Sequence, residues 1–246
     1  DALFAKQRAE GERLRRQLAA GGARFIVALA DNSFGDHHIT SSVVIRFYRA
    51  FVEWLTETRD AGLIIKPKRS EPLHEVSEIR DLIERATGTG RCLVLSNALG
   101  RLPSDASSVA DITVGLFLSS SVVEAAIAGH RGIHCDLSRL RRHPFYSWGQ
   151  ERIVFDDLGR LVAAISRFKD DPREEPWLGD HGPVMDRLDP FRDGKAATRI
   201  GSYMTWLIES LDAGKTRQAA IKQANERYAG RYGWDEIVRL TDAAVS

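Results

Sequence analysis

The chain has 246 residues, room for one large or two small domains, and 43% of them are apolar, enough to bury a core. Lys and Arg total 35 against 34 Asp and Glu, so the net charge of +1 carries no global signal for nucleic acid. No apolar run approaches the length of a membrane span, and no signal peptide is visible.

The first residue is Asp1 rather than Met, which leaves open whether the chain is whole or a fragment of a longer one. Residues 4–20 read as a charged helix with a thin apolar stripe at Leu14 and Leu18. Its arginines (Arg8, Arg13, Arg15 and Arg16) read as a solvated face, and Gly21-Gly22 ends it. The run FIVALA within residues 24–30 suits a strand covered on both faces. A polar turn, DNSFGDHH, follows at 31–38 and contains Asp31, Asn32, Ser33, Asp36 and His38. Residues 40–59 read as a helix with Val43, Val44, Phe47, Phe51, Trp54 and Leu55 on one face.

A second strand at 63–66 runs out into Lys66-Pro67-Lys68-Arg69. Ser70 then reads as the cap of a helix reaching about residue 86, with Pro72 in its first turn. A third strand at 92–95 ends in Ser96-Asn97, and a loop with a short helix is expected at 103–108. The densest chemistry lies at 110–136. There an apolar run (112–118) meets Ser119, Ser120 and Ser121, a helix (122–128) stopped by Gly129, and a short strand (133–135) closed by Asp136. A serine cluster at a helix start offers backbone N–H groups, hydroxyls and the positive dipole end together, the ingredients of a phosphate seat. Ser121 and Glu124 also have capping-box spacing.

Residues 139–149 form a basic-aromatic loop, read most simply as packed, with its arginines snorkelling to solvent. A last short strand at 153–155 precedes a helix at 156–169. Residues 170–187, rich in Pro, Gly and acid, read as a linker or surface excursion. Residues 189–194 are a turn, and helices are expected at 196–211, 216–228 and 235–240. Cys92 and Cys135 both fall in apolar strands, so buried free thiols are expected rather than a disulfide.

Strands alternating with helices predict a parallel, doubly wound sheet. Right-handed crossovers then place every strand-end loop on one edge. Asp31, Lys66, Lys68, Arg69 and the serine turn gather there, and a phosphate or diphosphate is the simplest partner. Neither a Walker A motif nor a G-x-G-x-x-G supports an NTPase or a dinucleotide enzyme. His37-His38 with Asp36 is too sparse for a metal site, and the serine turn has no convincing His/Asp partner for nucleophilic catalysis.

The sequence strand–SSS–VVEAAIAG–strand–D resembles the nucleotide-sugar-binding half of GT-B glycosyltransferases. With DNSFGD, LIIKPKR, RHPFYSWG and DPFRDGKAATRIG, the chain is similar to bacterial capsule and lipopolysaccharide-type enzymes from about residue 25 to residue 232. The resemblance implies a Rossmann-like parallel sheet with flanking helices (a GT-B type half) and a C-terminal helical tail. The expected layout is an N-terminal helix at 1–22, the nucleotide-sugar domain at 23–175, and linker plus tail at 176–246.

It further implies an enzyme needing no cofactor and no metal, with a nucleotide-sugar donor and a glycan or lipid-linked acceptor. Some CMP-sugar transferases of this architecture hold CMP with a His-Pro turn and a Ser-Ser/Thr turn. The serine turn fits residues 119–121. The His-Pro position reads Lys66-Pro67, which leaves CMP- and UDP-sugars both open, and His143-Pro144 falls after the serine turn. Donor phosphates would meet Ser119, Ser120, Ser121, Lys66 and Lys68; Asn32 and Ser33 would border the cleft, and Glu124 would meet the ribose. Asp31, Asp36 and His38 are the within-chain candidates for a general base, which GT-B enzymes normally draw from the opposite domain. That domain would be an N-terminal partner missing from this chain. A noncatalytic nucleotide-sugar module and a related epimerase or polyol-phosphate transferase are the alternatives. The expected location is cytoplasmic, at the inner face of the membrane.

Overall fold

The computed structural model describes residues 2–32, 40–96 and 101–233. The chain divides into two units, Asp1–Pro190 and Phe191–Ser246. In the first, helix α1 (Ala2–Ala20) precedes β1 (Phe25–Ala30), α2 (Ser41–Glu57), β2 (Ala61–Lys66), α3 (Pro72–Glu75), α4 (Ser77–Gly88) and β3 (Cys92–Val94). Then come α5 (Pro103–Ser107), β4 (Ile112–Leu116), α6 (Ser120–Ile127), β5 (Gly132–Cys135), α7 (Pro144–Gly149), β6 (Val154–Phe155) and α8 (Leu158–Asp170). A 3-10 turn (Gly182–Val184) and α9 (Met185–Leu188) close the unit. The expected helix at 235–240 lies outside the described residues.

All six strands are parallel, in the order β3-β2-β1-β4-β5-β6. This is the Rossmann-like sheet expected from the alternating pattern. The chain winds outward from β1 through β2 and β3, then returns to β4 on the other side of β1. The strand order therefore reverses between β1 and β4, and a crevice opens beyond their carboxyl ends.

Both faces of the sheet are covered, which explains its near-continuous apolar strands. Val27, Leu29, Leu63, Ile65, Ile112, Val114 and Leu116 point into a core shared with α2, α4 and α8. Ile26, Ala28 and Ile64 point the other way, against Leu14 and Leu18 of α1 and Ala106 of α5. Arg15 is not merely a solvated residue: its guanidinium donates to the Val109 carbonyl at 2.7 Å and to Asp111. Asp111 in turn accepts the Ile26 N–H at 2.7 Å, which ties α1 to the sheet. Cys92 and Cys135 are free and buried, as expected, and burial pushes the Cys92 thiol up to about 12.

Three local readings need correction. The helix expected to run to about residue 86 breaks at Val76, which is extended (φ −91°, ψ 109°) and packs its branched side chain on the core. The loop at 139–149 contains α7, started by the His143 ring accepting the Phe145 N–H. Residues 176–188 are not a linker. Leu178, His181 and Val184 are buried, and Gly179 accepts the Gly132 N–H at 2.9 Å. A few apolar residues in a polar segment suffice to strap it onto the start of β5.

In the second unit, α10 (Ala196–Asp212) packs on α11 (Arg217–Tyr232), and the Tyr203 hydroxyl donates to Asn225 at 2.9 Å. Ile200, Met204, Ile208 and Leu211 of α10 stay exposed. Among the described residues, no helix is long and apolar enough to cross a membrane.

The strap is directly testable. Leu178→Ala removes a side chain that is 1% exposed, and is expected to destabilise the protein by about 2–5 kcal/mol. Limited proteolysis is expected to spare residues 171–188 in the wild type and to cut there in the variant; equal cutting of both would refute the packing.

Candidate functional site

The serine turn is built by β4, β5 and α6 together. Just past β4, Phe117 takes a left-handed conformation (φ 60°), which is unfavourable for a bulky residue and redirects the chain. Its N–H donates to the Cys135 carbonyl at 2.8 Å. Ser119 is the cap of α6: its hydroxyl accepts the Ser121 N–H at 3.3 Å, and its carbonyl accepts the Val122 N–H. The capping box expected from Ser121 and Glu124 is therefore not formed. The helix begins earlier than the spacing suggested, so Ser121 lies inside the first turn and Glu124 is exposed beyond it.

Two strand glycines allow α6 to sit this close. A Cβ at Gly115 would fall 2.6 Å from both the Ser119 Cβ and a Val122 methyl. A Cβ at Gly132 would fall 2.9 Å from the other Val122 methyl. Glycine inside a strand is a readable sign of such an approach.

The lysine bend is built by β1, β2 and α2. Asp31, at the exit of β1, is 5% exposed. One carboxylate oxygen accepts the Lys68 N–H at 2.5 Å, and the other accepts the Tyr48 hydroxyl at 2.7 Å. Burial pushes the Asp31 carboxyl up to about 6, against the pull of these donors and of the Lys66 and Lys68 charges. Burial likewise lowers the pKa of Lys66, while the charges of Asp31 and Asp105 oppose the shift. The Lys66 ammonium donates to the Pro67 carbonyl at 3.0 Å. Lys68 is exposed, and its ammonium donates to the Asn32 side-chain Oδ1 at 3.4 Å.

The two bends face one cavity of about 390 Å³, a size that suits a small molecule. Its lining is Asp31, Asn32, Lys66, Pro67, Lys68, Pro103, Leu118, Ser119, Ser120 and Ser121. Six of the eight nucleotide-sugar candidates thus come together. Glu124 does not line the cavity, and Ser33 lies outside the described residues, as do Asp36 and His38. Pro103, Leu118 and Tyr48 were not foreseen, because their contribution depends on which loops the topology brings together. Among the described residues, no cluster of three His, Cys, Asp or Glu side chains could hold a metal. The basic loop is mostly engaged: Arg141 pairs with buried Asp156 at 2.6 Å, and the Tyr146 hydroxyl donates to Asp136 at 2.7 Å.

No protein-family model and no curated protein matches this chain. Among solved structures, it is similar to the S. aureus MnaA–UDP co-structure, with a TM-score of 0.52 and 11% identity over 78% of this chain and 48% of that one. It also matches a putative UDP-N-acetylglucosamine 2-epimerase from Listeria monocytogenes (TM-score 0.48, 15% identity, 81% of this chain and 48% of that one). A third match is sucrose-phosphate synthase from Thermosynechococcus elongatus (TM-score 0.48, 17% identity, 82% and 49%). This chain spans about half the length of each. At 11% identity the MnaA likeness establishes the fold alone, a Rossmann-like half of the GT-B type.

The carboxyl of Asp31 sets a pH dependence of stability. Its folded pKa of about 6 lies above the ordinary 3.8, so between these values the folded state holds a proton that the unfolded state releases. The Asp31 contribution to stability is therefore expected to fall as pH rises from about 4 to 6, by up to about 3 kcal/mol, and to level off above. Urea unfolding from pH 4 to 8 is expected to show the stability of the wild type relative to Asp31→Asn falling by that amount over this window; a pH-independent difference between the two would contradict it.

Proposed function

We propose that this chain is the nucleotide-sugar-binding half of a GT-B-type glycosyltransferase that builds a surface polysaccharide or a lipid-linked glycan. The observation that supports it is the single cavity in which Lys66 and Lys68 face the capped N-terminus of α6. Ammonium groups, serine hydroxyls and a helix dipole are the donors that a diphosphate needs. The reading also draws on the S. aureus MnaA structure, which was solved with UDP. UDP is accordingly the first nucleotide to try, with CMP the second.

In transfer, the acceptor hydroxyl oxygen bonds to the anomeric carbon and gives its proton to the base, while the bond between that carbon and the donor's phosphate oxygen breaks and the nucleotide leaves carrying the bonding electrons. The lysines and the α6 N-terminus, which line the same cavity, stabilise the charge as it develops. Leu118 and Pro103 add apolar surface to the cavity wall. Asn32 borders the cavity just past β1. Asp31 is assigned to positioning, because both of its oxygens are already held by structural donors. The base that deprotonates the acceptor comes from Asp36, His38 or an opposing domain. The same reading places the protein on the cytoplasmic face of the membrane.

Calorimetric titration with UDP tests the site. Lys66→Ala is expected to weaken binding by about 10- to 100-fold, through loss of a charge-assisted contact. Ser120→Ala is expected to weaken it by about 2- to 5-fold. Unchanged affinity in both variants would overturn the assignment. Release of free nucleotide on adding an acceptor glycan to the intact protein separates transfer from binding alone.

A further inference from the structure

His134 sits in β5 beside Gly115 of β4, is fully buried, and does not line the cavity. Its Nδ1 accepts the backbone N–H of Ser119 at 3.1 Å. Accepting there requires Nδ1 to be bare, so the ring is neutral and its hydrogen is on Nε2. The ring cannot swing away. It stacks on Phe145 (4.5 Å between centroids, 16° between planes) and meets His181 edge-on at 6.0 Å. Phe145 is itself placed by His143, whose Nδ1 accepts the Phe145 N–H at 3.3 Å. Burial holds the His134 pKa down at about 3, aided by the facing His181 and His143 and opposed by the Phe117 carbonyl.

The turn therefore leans on β5 twice. Phe117 donates to a β5 carbonyl, and two residues later Ser119 donates to a β5 side chain. Between these anchors the chain recovers from the left-handed residue and starts α6. Losing the second anchor would free the cap residue while leaving the strand pairing intact.

We propose that His134 is a positioning residue: its Nδ1 pins the Ser119 amide, and with it the start of α6, in the orientation that receives a phosphate. This rests on the reading of the cavity as a nucleotide site. His134 touches no ligand and acts only through the turn. The face of the helix start that looks into the cavity is thereby fixed from behind, by a ring that is itself locked by α7 and the 3-10 turn. Phe145 and His143, which the sequence leaves as a basic-aromatic stretch, thus become remote supports of the same site.

The test uses His134→Phe, which keeps an aromatic ring on Phe145 but loses the acceptor, and His134→Asn, whose Oδ1 can replace Nδ1. In the ligand-free wild type, 15N NMR is expected to show a bare Nδ1 from pH 5 to 8 and a protected Ser119 amide. His134→Phe is expected to speed exchange of that amide and to weaken UDP binding by about tenfold, roughly the net worth of one hydrogen bond. His134→Asn is expected to stay within about threefold of wild type on both counts, the rescue that a purely space-filling role would not give. A protonated Nδ1, an unmoved Ser119 amide in His134→Phe, or equal loss in both variants would overturn the proposal. A wild type that takes up no UDP would instead refute the nucleotide reading; the tautomer and amide exchange would then still decide whether His134 pins the turn.

Discussion

The close seating of α6 on β4 and β5 is the constraint on which the candidate site depends. The helix start can present its amides to the cavity only if Ser119 and Val122 come within van der Waals distance of two strand backbones. Gly115 and Gly132 are the residues that permit it, since a methyl group at either would collide at under 3 Å. The strand order supplies the rest: with β1 and β4 adjacent and their onward connections diverging, the serine turn and the exit of β1 face the same crevice.

The opposite wall is held by a different kind of force. Asp31 is a buried carboxylate whose two oxygens are both satisfied, one by a backbone amide and one by a buried tyrosine. Burial of an acid beside a buried lysine is unfavourable for each charge alone, and each partly offsets the other. The result is a lysine bend anchored at Asp31, with Lys66 and Lys68 both lining the cavity. Charge held in this way is what the proposed transfer would use to stabilise a leaving phosphate.

Much of this was legible in the sequence, and the failures have physical causes. FIVALA, the β2 run and ITVGL read as buried strands because they are covered on both faces. Lys66, Lys68 and the serines read as one edge because parallel sheets put strand-end loops together. The start of α6 was misplaced because Ser119, Ser120 and Ser121 can each cap a helix, and only the kink at Phe117 decides among them. The 176–188 strap was misread because three buried residues, Leu178, His181 and Val184, are diluted by Pro, Gly and acid. His134 was invisible as a site residue: its contact to Ser119 spans fifteen positions and depends on the pairing of β4 with β5. Glu124 shows the limit of spacing as a guide, since the residue is present but neither caps the helix nor reaches the cavity wall.

The central claim is that two separate bends form one anion seat. The most direct measurement is an NMR titration of the 15N-labelled protein with inorganic diphosphate, following the backbone amides. The account predicts that Ser119, Ser120, Ser121 and Val122 shift together with Lys66 and Lys68, along one binding curve. Shifts confined to one bend, or a response centred elsewhere on the sheet edge, would contradict it.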